Sequence, residues 1–278
     1  MVEMANVINA EVFYWWCTGL MVIIHAGFLA YEMGASRQKN ALASGVKNIL
    51  AFAFIVPTFY FFGWWIYLAM YQGFTPDFEA GAAGLPWAAA MGPNLTDNAT
   101  GIFWGAFVLF AATTASIFSG AVIERIRLSS FIVLAIILGS VVWILGASWG
   151  WHPTGWLTTE WGFHDFGAAG AVHMVAGFFA LGVIINLGPR IGRFAADGTP
   201  QVILGHNVPM SIIGLMMIIV GFFGFLGGCI IYAGGAQWTT IFGTPVTLSA
   251  VSFNTLMGFS GGIIGAYVVT RQPFWMMS

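Results

Sequence analysis

The chain has 278 residues, of which 59% are hydrophobic and only 6% charged, with a net charge of −2. An ordinary soluble domain carries about 25% charged residues, so this composition excludes a water-surrounded globule and makes lipid the main solvent. Net charge alone speaks neither for nor against nucleic acid. The bases have another explanation below, and no nucleic-acid partner is expected.

In chain order, the first eleven residues hold two acids, Glu3 and Glu11, and no base. A secretory signal would open on positive charge, so no cleaved targeting peptide is expected and the first apolar run is read as retained. Seven runs are long and apolar enough to cross a bilayer, at about 11–34, 46–72, 101–123, 129–148, 166–188, 209–233 and 247–270. At 1.5 Å per residue each suits a hydrocarbon core of about 30 Å. Lipid admits only helices or a closed barrel, and runs of this length are helical. The expected fold is all-α, a single transmembrane domain over 1–278.

The connections alternate. Arg37, Lys39 and Lys47 lie between runs 1 and 2, Arg125 and Arg127 after run 3, Arg190 and Arg193 after run 5, and Arg271 after run 7. These are all eight bases, and the loops at about 73–100, 149–164 and 234–246 hold none. The positive-inside rule then puts the N-terminus outside and the C-terminus in the cytoplasm, in a multi-pass cell-membrane protein. The outer loop carries two N-x-[ST] matches, Asn94 and Asn98, a pattern common by chance. Glycine clusters such as Gly221, Gly224, Gly227 and Gly228 read as close helix packing. Cys17 and Cys229 both sit inside apolar runs, so neither a disulfide framework nor a thiolate metal site is expected.

Polar groups inside apolar runs are costly and need a reason. His173 lies eight residues after Asp165 and seventeen before Arg190, so it sits about 12 Å below the outer helix end and about 25 Å from Arg190. A neutral imidazole at that depth both donates and accepts, which suits a proton relay or a small polar ligand. Asp165 reads as the cap of the fifth helix. His25, also near mid-membrane, reads as an interhelical hydrogen bond. His206 and Asn207 before Pro209 read as helix-start chemistry. Glu124 and Arg125 are expected to form an interfacial ion pair. Trp151, Phe110 and Phe225 are ordinary aromatics taken singly, although an aromatic face attracts ammonium by about 0.5–2 kcal/mol.

Together these residues resemble a known family. Asp165-Phe-Gly-Ala-Ala-Gly-Ala-Val-His173 is similar to the D-F-[AG]-G-[GS]-x-V-V-H signature of the ammonium transporter (Amt/Mep/Rh) family. Ser119-Gly-Ala-Val-Ile-Glu124-Arg125, His206-Asn207-Val-Pro209, Gly221-Phe-Phe-Gly-Phe225, and His25-Ala-Gly-Phe with Arg37-Gln-Lys39-Asn40 resemble four more family motifs in the right order. The resemblance runs from about residue 13 to 278.

The resemblance implies transport of ammonium or ammonia and no enzymatic activity, cofactor or bound metal. Trp151, with Phe110, would form an outer recruitment site supported by Asp165. Phe110 and Phe225 would be a stacked phenyl gate, with Cys229 where the family has a serine hydrogen-bond partner. His173 would be the first of two pore histidines. The implied assembly is a homotrimer of subunits built as inverted five-helix halves. The family has about eleven helices, so the second half is expected to be incomplete here and the second pore histidine absent. Pro273-Phe-Trp-Met-Met-Ser278 reads as the entry to another helix. The alternative is a non-conducting accessory or sensor subunit of a larger membrane complex. A retinal protein is excluded because the seventh run has no lysine for a Schiff base. A haem between His25 and His173 is the remaining alternative.

Overall fold

The computed structural model describes residues 2–89, 91, 98–234 and 237–270. Seven spans are long and apolar enough to cross a membrane: Asn6–Ala35, Gln38–Ala69, Phe103–Ala121, Leu128–Gly150, Ala169–Leu187, Val208–Gly227 and Leu248–Val269. The first is α1 (Val2–Ala35). The second is α2 (Ala41–Thr58), a widened π-helical turn over Phe59–Gly63, and α3 (Trp64–Ala69). A short α4 (Phe78–Ala82) precedes the third span, α5 (Asn98–Ala121). The fourth joins α6 (Leu128–Ile137) to α7 (Trp143–Gly150) through a π turn at Leu138–Val142. After α8 (Trp156–Trp161), the fifth opens on a π turn at Ala169–Met174 and continues as α9 (Val175–Leu187). The last two are α10 (Val208–Gly227) and α11 (Leu248–Val269).

The π turns have local causes. Pro57 inside α2 removes one backbone donor just before the first. Thr58 Oγ1 lies 2.9 Å from Ser140 Oγ in the second, so the two widened segments face each other and share a hydroxyl contact. Such contacts matter here because lipid is as apolar as leucine, leaving packing and polar bonds to hold helices together. α1 and α10 approach most closely at glycines. A Cβ on Gly27 would sit 2.7 Å from the Gly214 carbonyl, and one on Gly224 would sit 2.5 Å from that of Cys17. α5 is the hub, with Phe107, Phe110, Ala111, Ala115 and Phe118 all buried.

The fold is mostly helical with seven spans, as expected, and three details change. α10 ends at Gly227 rather than near 233, and the chain turns into a three-stranded antiparallel sheet of β1 (Ile230–Gly234), β2 (Gln237–Thr240) and β3 (Pro245–Val246). The β-branched, turn-flanked stretch 239–247 reads as loop in a window dominated by the apolar run before it.

Lys47 is not a loop residue. It is buried inside α2, 3.6 Å from Glu32 of α1, and its ammonium donates to the Ser119 carbonyl at 3.0 Å. Glu32 also accepts from Ser119 Oγ at 2.7 Å. The Glu124–Arg125 pair is replaced by longer-range partners. Glu124 takes a left-handed backbone (φ 61) that turns its carboxylate inward to Arg37 at 2.9 Å and Arg190 at 3.7 Å. Arg125 instead donates to the carbonyls of Gly188 and Ala121. Burial works to raise the Glu124 carboxyl, but hydrogen bonds from Arg37 outweigh it and hold the group below the usual carboxylate range. Asn94, Arg271 and the Pro273–Ser278 segment lie outside the described residues. Cys17 and Cys229 are free and buried.

Candidate functional site

The site is built on one face of α5. Phe103, Phe107 and Phe110 are spaced by four and three residues, so they stack along one stripe of the helix. Phe103 and Phe107 have ring centroids 4.8 Å apart, and Phe107 and Phe110 meet at 5.9 Å. The column continues to Phe225 of α10, whose ring meets Phe110 at 4.5 Å and 80°. The two phenyl rings are therefore edge-to-face, not stacked as expected, the arrangement that ring quadrupoles favour. Both are fully buried. Gly228 lets the chain pass beside this pair, since a Cβ there would lie 3.3 Å from Phe110 Cζ. The Cys229 thiol donates to the Phe225 carbonyl at 3.3 Å and so braces the turn that carries the ring.

Trp151 closes the column from the side, 5.1 Å from Phe110. It is only 2% exposed, so it forms a wall beneath the surface rather than an open recruitment platform. Its indole N–H donates to the Asp165 carbonyl at 2.6 Å, and Tyr67 donates to its own carbonyl at 3.1 Å. Asp165 does what a cap does, with more partners than one. Its carboxylate accepts from the amides of Ala169, Gly170 and Ala171 at 2.7–2.9 Å. These amides would otherwise be orphaned at a helix start, and their dipoles favour a negative charge.

The cap also sets His173. Ala168 adopts a left-handed conformation (φ 66), and its carbonyl receives both the His173 backbone N–H and the ring Nδ1, each at 3.1 Å. A carbonyl only accepts, so Nδ1 carries a hydrogen, and in the neutral ring Nε2 is then the acceptor. The ring lies 6.1 Å from Phe225 and 6.3 Å from Phe222. Its remaining side is open. His173 is exposed in this chain, so the enclosure expected around it is present on one side only.

The structure thus brings Phe110, Phe225, Trp151, Asp165, His173 and Cys229 into one continuous set. Sequence reasoning missed the mouth at its loop end. A cavity of about 470 Å³ is lined by Tyr67 and Phe103, by Pro153 and Thr158, by Ile231, Thr239 and Thr240 of the sheet, and by the turn Ile241 to Gly243. The signal for Phe103 and Phe107 was available in their helical spacing, but the sheet and its turn supply most of the wall. His152 borders the same end, stacked on Tyr71 at 4.7 Å, and burial holds its imidazole below the usual histidine range. His164 lies 4.2 Å from Phe242.

Two other histidines sit elsewhere. His206 Nδ1 and the Ser36 carbonyl are 3.0 Å apart, and Asn207 caps α10 by accepting from the Met210 amide, the helix-start role expected. His25 is buried against Phe52 and lies 3.5 Å from Ser116 Oγ. Neither Phe52 nor Ser116 is among the residues around His173, which are Ala168, Phe222 and Phe225. Among the described residues no group of three or more His, Cys, Asp or Glu side chains is placed to hold a metal ion.

Residues 12–273 match the family model described as Ammonium Transporter Family. The chain is similar to ammonium transporter Amt2 of Archaeoglobus fulgidus, 31% identical over 91% of this chain and 52% of that protein. It is also similar to ammonium transporter Amt1 of Methanocaldococcus jannaschii, 30% identical over 98% of this chain and 63% of the relative. Among solved structures, a sensor Amt protein superposes with a TM-score of 0.79 at 26% identity, over 97% of this chain and 64% of that one. Saccharomyces cerevisiae Mep2, at 22% identity and a TM-score of 0.70, shares the fold. The chain spans between about half and just under two thirds of the length of these relatives.

Proposed function

The chain belongs to the ammonium transporter family, and we propose that it forms the recruiting and gating half of a pore that carries ammonium across the cell membrane as ammonia. The observation that carries this reading is His173, whose Nδ1 is tied to the Ala168 carbonyl and whose Nε2 is left as an acceptor beside the Phe225 ring. Ammonium gathers at the aromatic mouth near Tyr67 and Phe103, where ring faces attract a cation. Crossing the apolar zone as an ion is costly, so it gives one proton back to water in the mouth above the Phe110–Phe225 pair and goes on as ammonia. Neutral ammonia passes the rings and donates a hydrogen bond to His173 Nε2. Potassium has no proton to lose and no hydrogen bond to give, so it is refused. In this reading the basic loops face the cytoplasm, the N-terminus lies outside, and the assembly is a trimer.

The test is methylammonium flux into vesicles bearing the native protein. His173→Ala lowers flux at least tenfold, or lets potassium through, while the helical signature stays unchanged. Unaltered flux and selectivity would remove His173 from the route. A second reading is a non-conducting sensor or accessory subunit. One observation favours it: the similarity to the sensor Amt protein. It predicts saturable ammonium binding with no flux in the same vesicles.

A further inference from the structure

Away from this route, at the end of the bundle that carries the bases, α6 and α9 leave an open groove of about 580 Å³ between them. Ser130 and Leu134 lie four residues apart on one face of α6, and Gly182, Val183, Asn186 and Leu187 form the facing stripe of α9. A Cβ on Gly182 would meet no atom within 4 Å, so the groove is empty at that point of its wall. One end is different in kind. Arg125 and Arg127 line it, and no acid does. The Arg125 guanidinium donates to the carbonyls of Gly188 and Ala121, which hold it without neutralising it, and Arg190 adds its repulsion. Arg127 is exposed. Neither arginine belongs to an ion pair among the described residues, and the adjoining carboxylate of Glu124 is already shared by Arg37 and Arg190.

The depth of these groups matters. Both arginines stand just outside the span Leu128–Gly150, whereas Leu134, Val183 and Leu187 lie inside it and its neighbour Ala169–Leu187. Arg127 and Leu134 are seven residues apart, about 10 Å along the chain axis. The groove therefore runs from headgroup level into hydrocarbon. A soluble anion would use only the charged end, and a neutral lipid would leave that end unanswered. We propose that the groove binds one anionic glycerophospholipid, its phosphate against Arg127 and Ser130 and the start of an acyl chain along Leu134, Gly182 and Val183. The guanidinium fork offers a phosphate two parallel donors, and basic pockets between membrane helices attract anionic headgroups. The lipid supplies the negative charge that no carboxylate of the groove supplies, and it ties the fourth span to the fifth. Its contacts are separate from the residues around His173, which are Ala168, Phe222 and Phe225.

The test is native mass spectrometry of the full chain in detergent micelles, titrated with dioleoylphosphatidylglycerol or with dioleoylphosphatidylcholine, which has the same acyl chains and no net charge. The first phosphatidylglycerol is expected to bind roughly tenfold more tightly than the first phosphatidylcholine. Arg127→Gln is expected to remove most of that preference. Gly182→Leu fills the groove without a clash and leaves both arginines in place, and it is expected to weaken the first phosphatidylglycerol to a similar degree. Circular dichroism without lipid is expected to match the parent in both variants. Millimolar inorganic phosphate is expected not to displace the lipid. Equal affinity for the two lipids, displacement by inorganic phosphate, or parent-like binding in Gly182→Leu overturns the proposal. So does a Gly182→Leu chain whose assembly mass changes while its lipid binding does not, because protein then occupies the groove. The readout involves no transport, so it stands or falls apart from the flux test of His173.

Discussion

Asp165 and Glu32 are both carboxylates buried in an apolar protein, at 8% and 2% exposure, yet they are held in opposite ways. Asp165 is answered by three backbone amides within six residues of itself. Glu32 is answered by a lysine on the next helix and a serine 87 residues away. The first arrangement shapes one segment: it seats the π turn, the left-handed Ala168 and so the His173 ring. The second ties α1, α2 and α5 together. A charge that binds its own backbone directs local chemistry, whereas one that binds another helix directs assembly.

Breaking the second arrangement on one side has the largest expected effect. Lys47→Met leaves Glu32 buried beside Ser119 and Asn48 without a countercharge and costs about 3–5 kcal/mol, while Glu32→Gln with Lys47→Met recovers most of that loss. Thermal unfolding in detergent measures both. A double variant no better than the single would mean that the two residues are not coupled.

Next is Asp165→Ala. Three amides lose a charged acceptor, at about 1.5–3 kcal/mol for such bonds, and flux falls with stability because His173 loses its seat. Asp165→Asn retains one oxygen and is expected to lie between. Full flux in a destabilised Asp165→Ala would separate the cap from the site and undo the contrast.

The smallest effect is at Glu124, where the side chain is enclosed but its partner Arg37 is 30% exposed. Glu124→Gln is expected to cost about 1 kcal/mol. The folded carboxyl sits below its reference value of 4.5, so its stabilisation is full above that pH and is lost as pH falls through the lower folded value. The acid limb of a stability–pH curve is therefore shallower in Glu124→Gln than in the parent. Identical acid limbs would show that the ion cluster contributes nothing.

The same division explains what was legible in the residues. The Asp165 cap and the Asn207 start of α10 depend on neighbours a few positions away. Glu32 was invisible because nothing near it in the chain calls for a carboxylate, and its lysine looked like a loop base. Glu124 was paired with the wrong arginine because adjacency is a poor guide when a left-handed backbone turns the side chain around. The sheet after Gly227 was missed because an apolar run masks where a helix stops. α5 and α11 make the point for whole helices. Their most apolar stretches have similar hydropathy, 1.5 and 1.2, yet 72% of the first and 6% of the second is buried within the chain.

Read by itself, the sequence determined that the chain has seven runs long and apolar enough to cross a membrane and a capped segment that leads to a histidine. Each of these follows from apolar run length, charge distribution or short-range spacing, which act within a few turns of helix. Only the tertiary structure decided that the phenyl pair meets edge-on, that Trp151 is a buried wall, that Lys47 answers Glu32, and that His173 keeps one open side. Those depend on which helix faces are pressed together, and in lipid apolarity does not choose among faces. Glycine contacts and a few long-range polar bonds do.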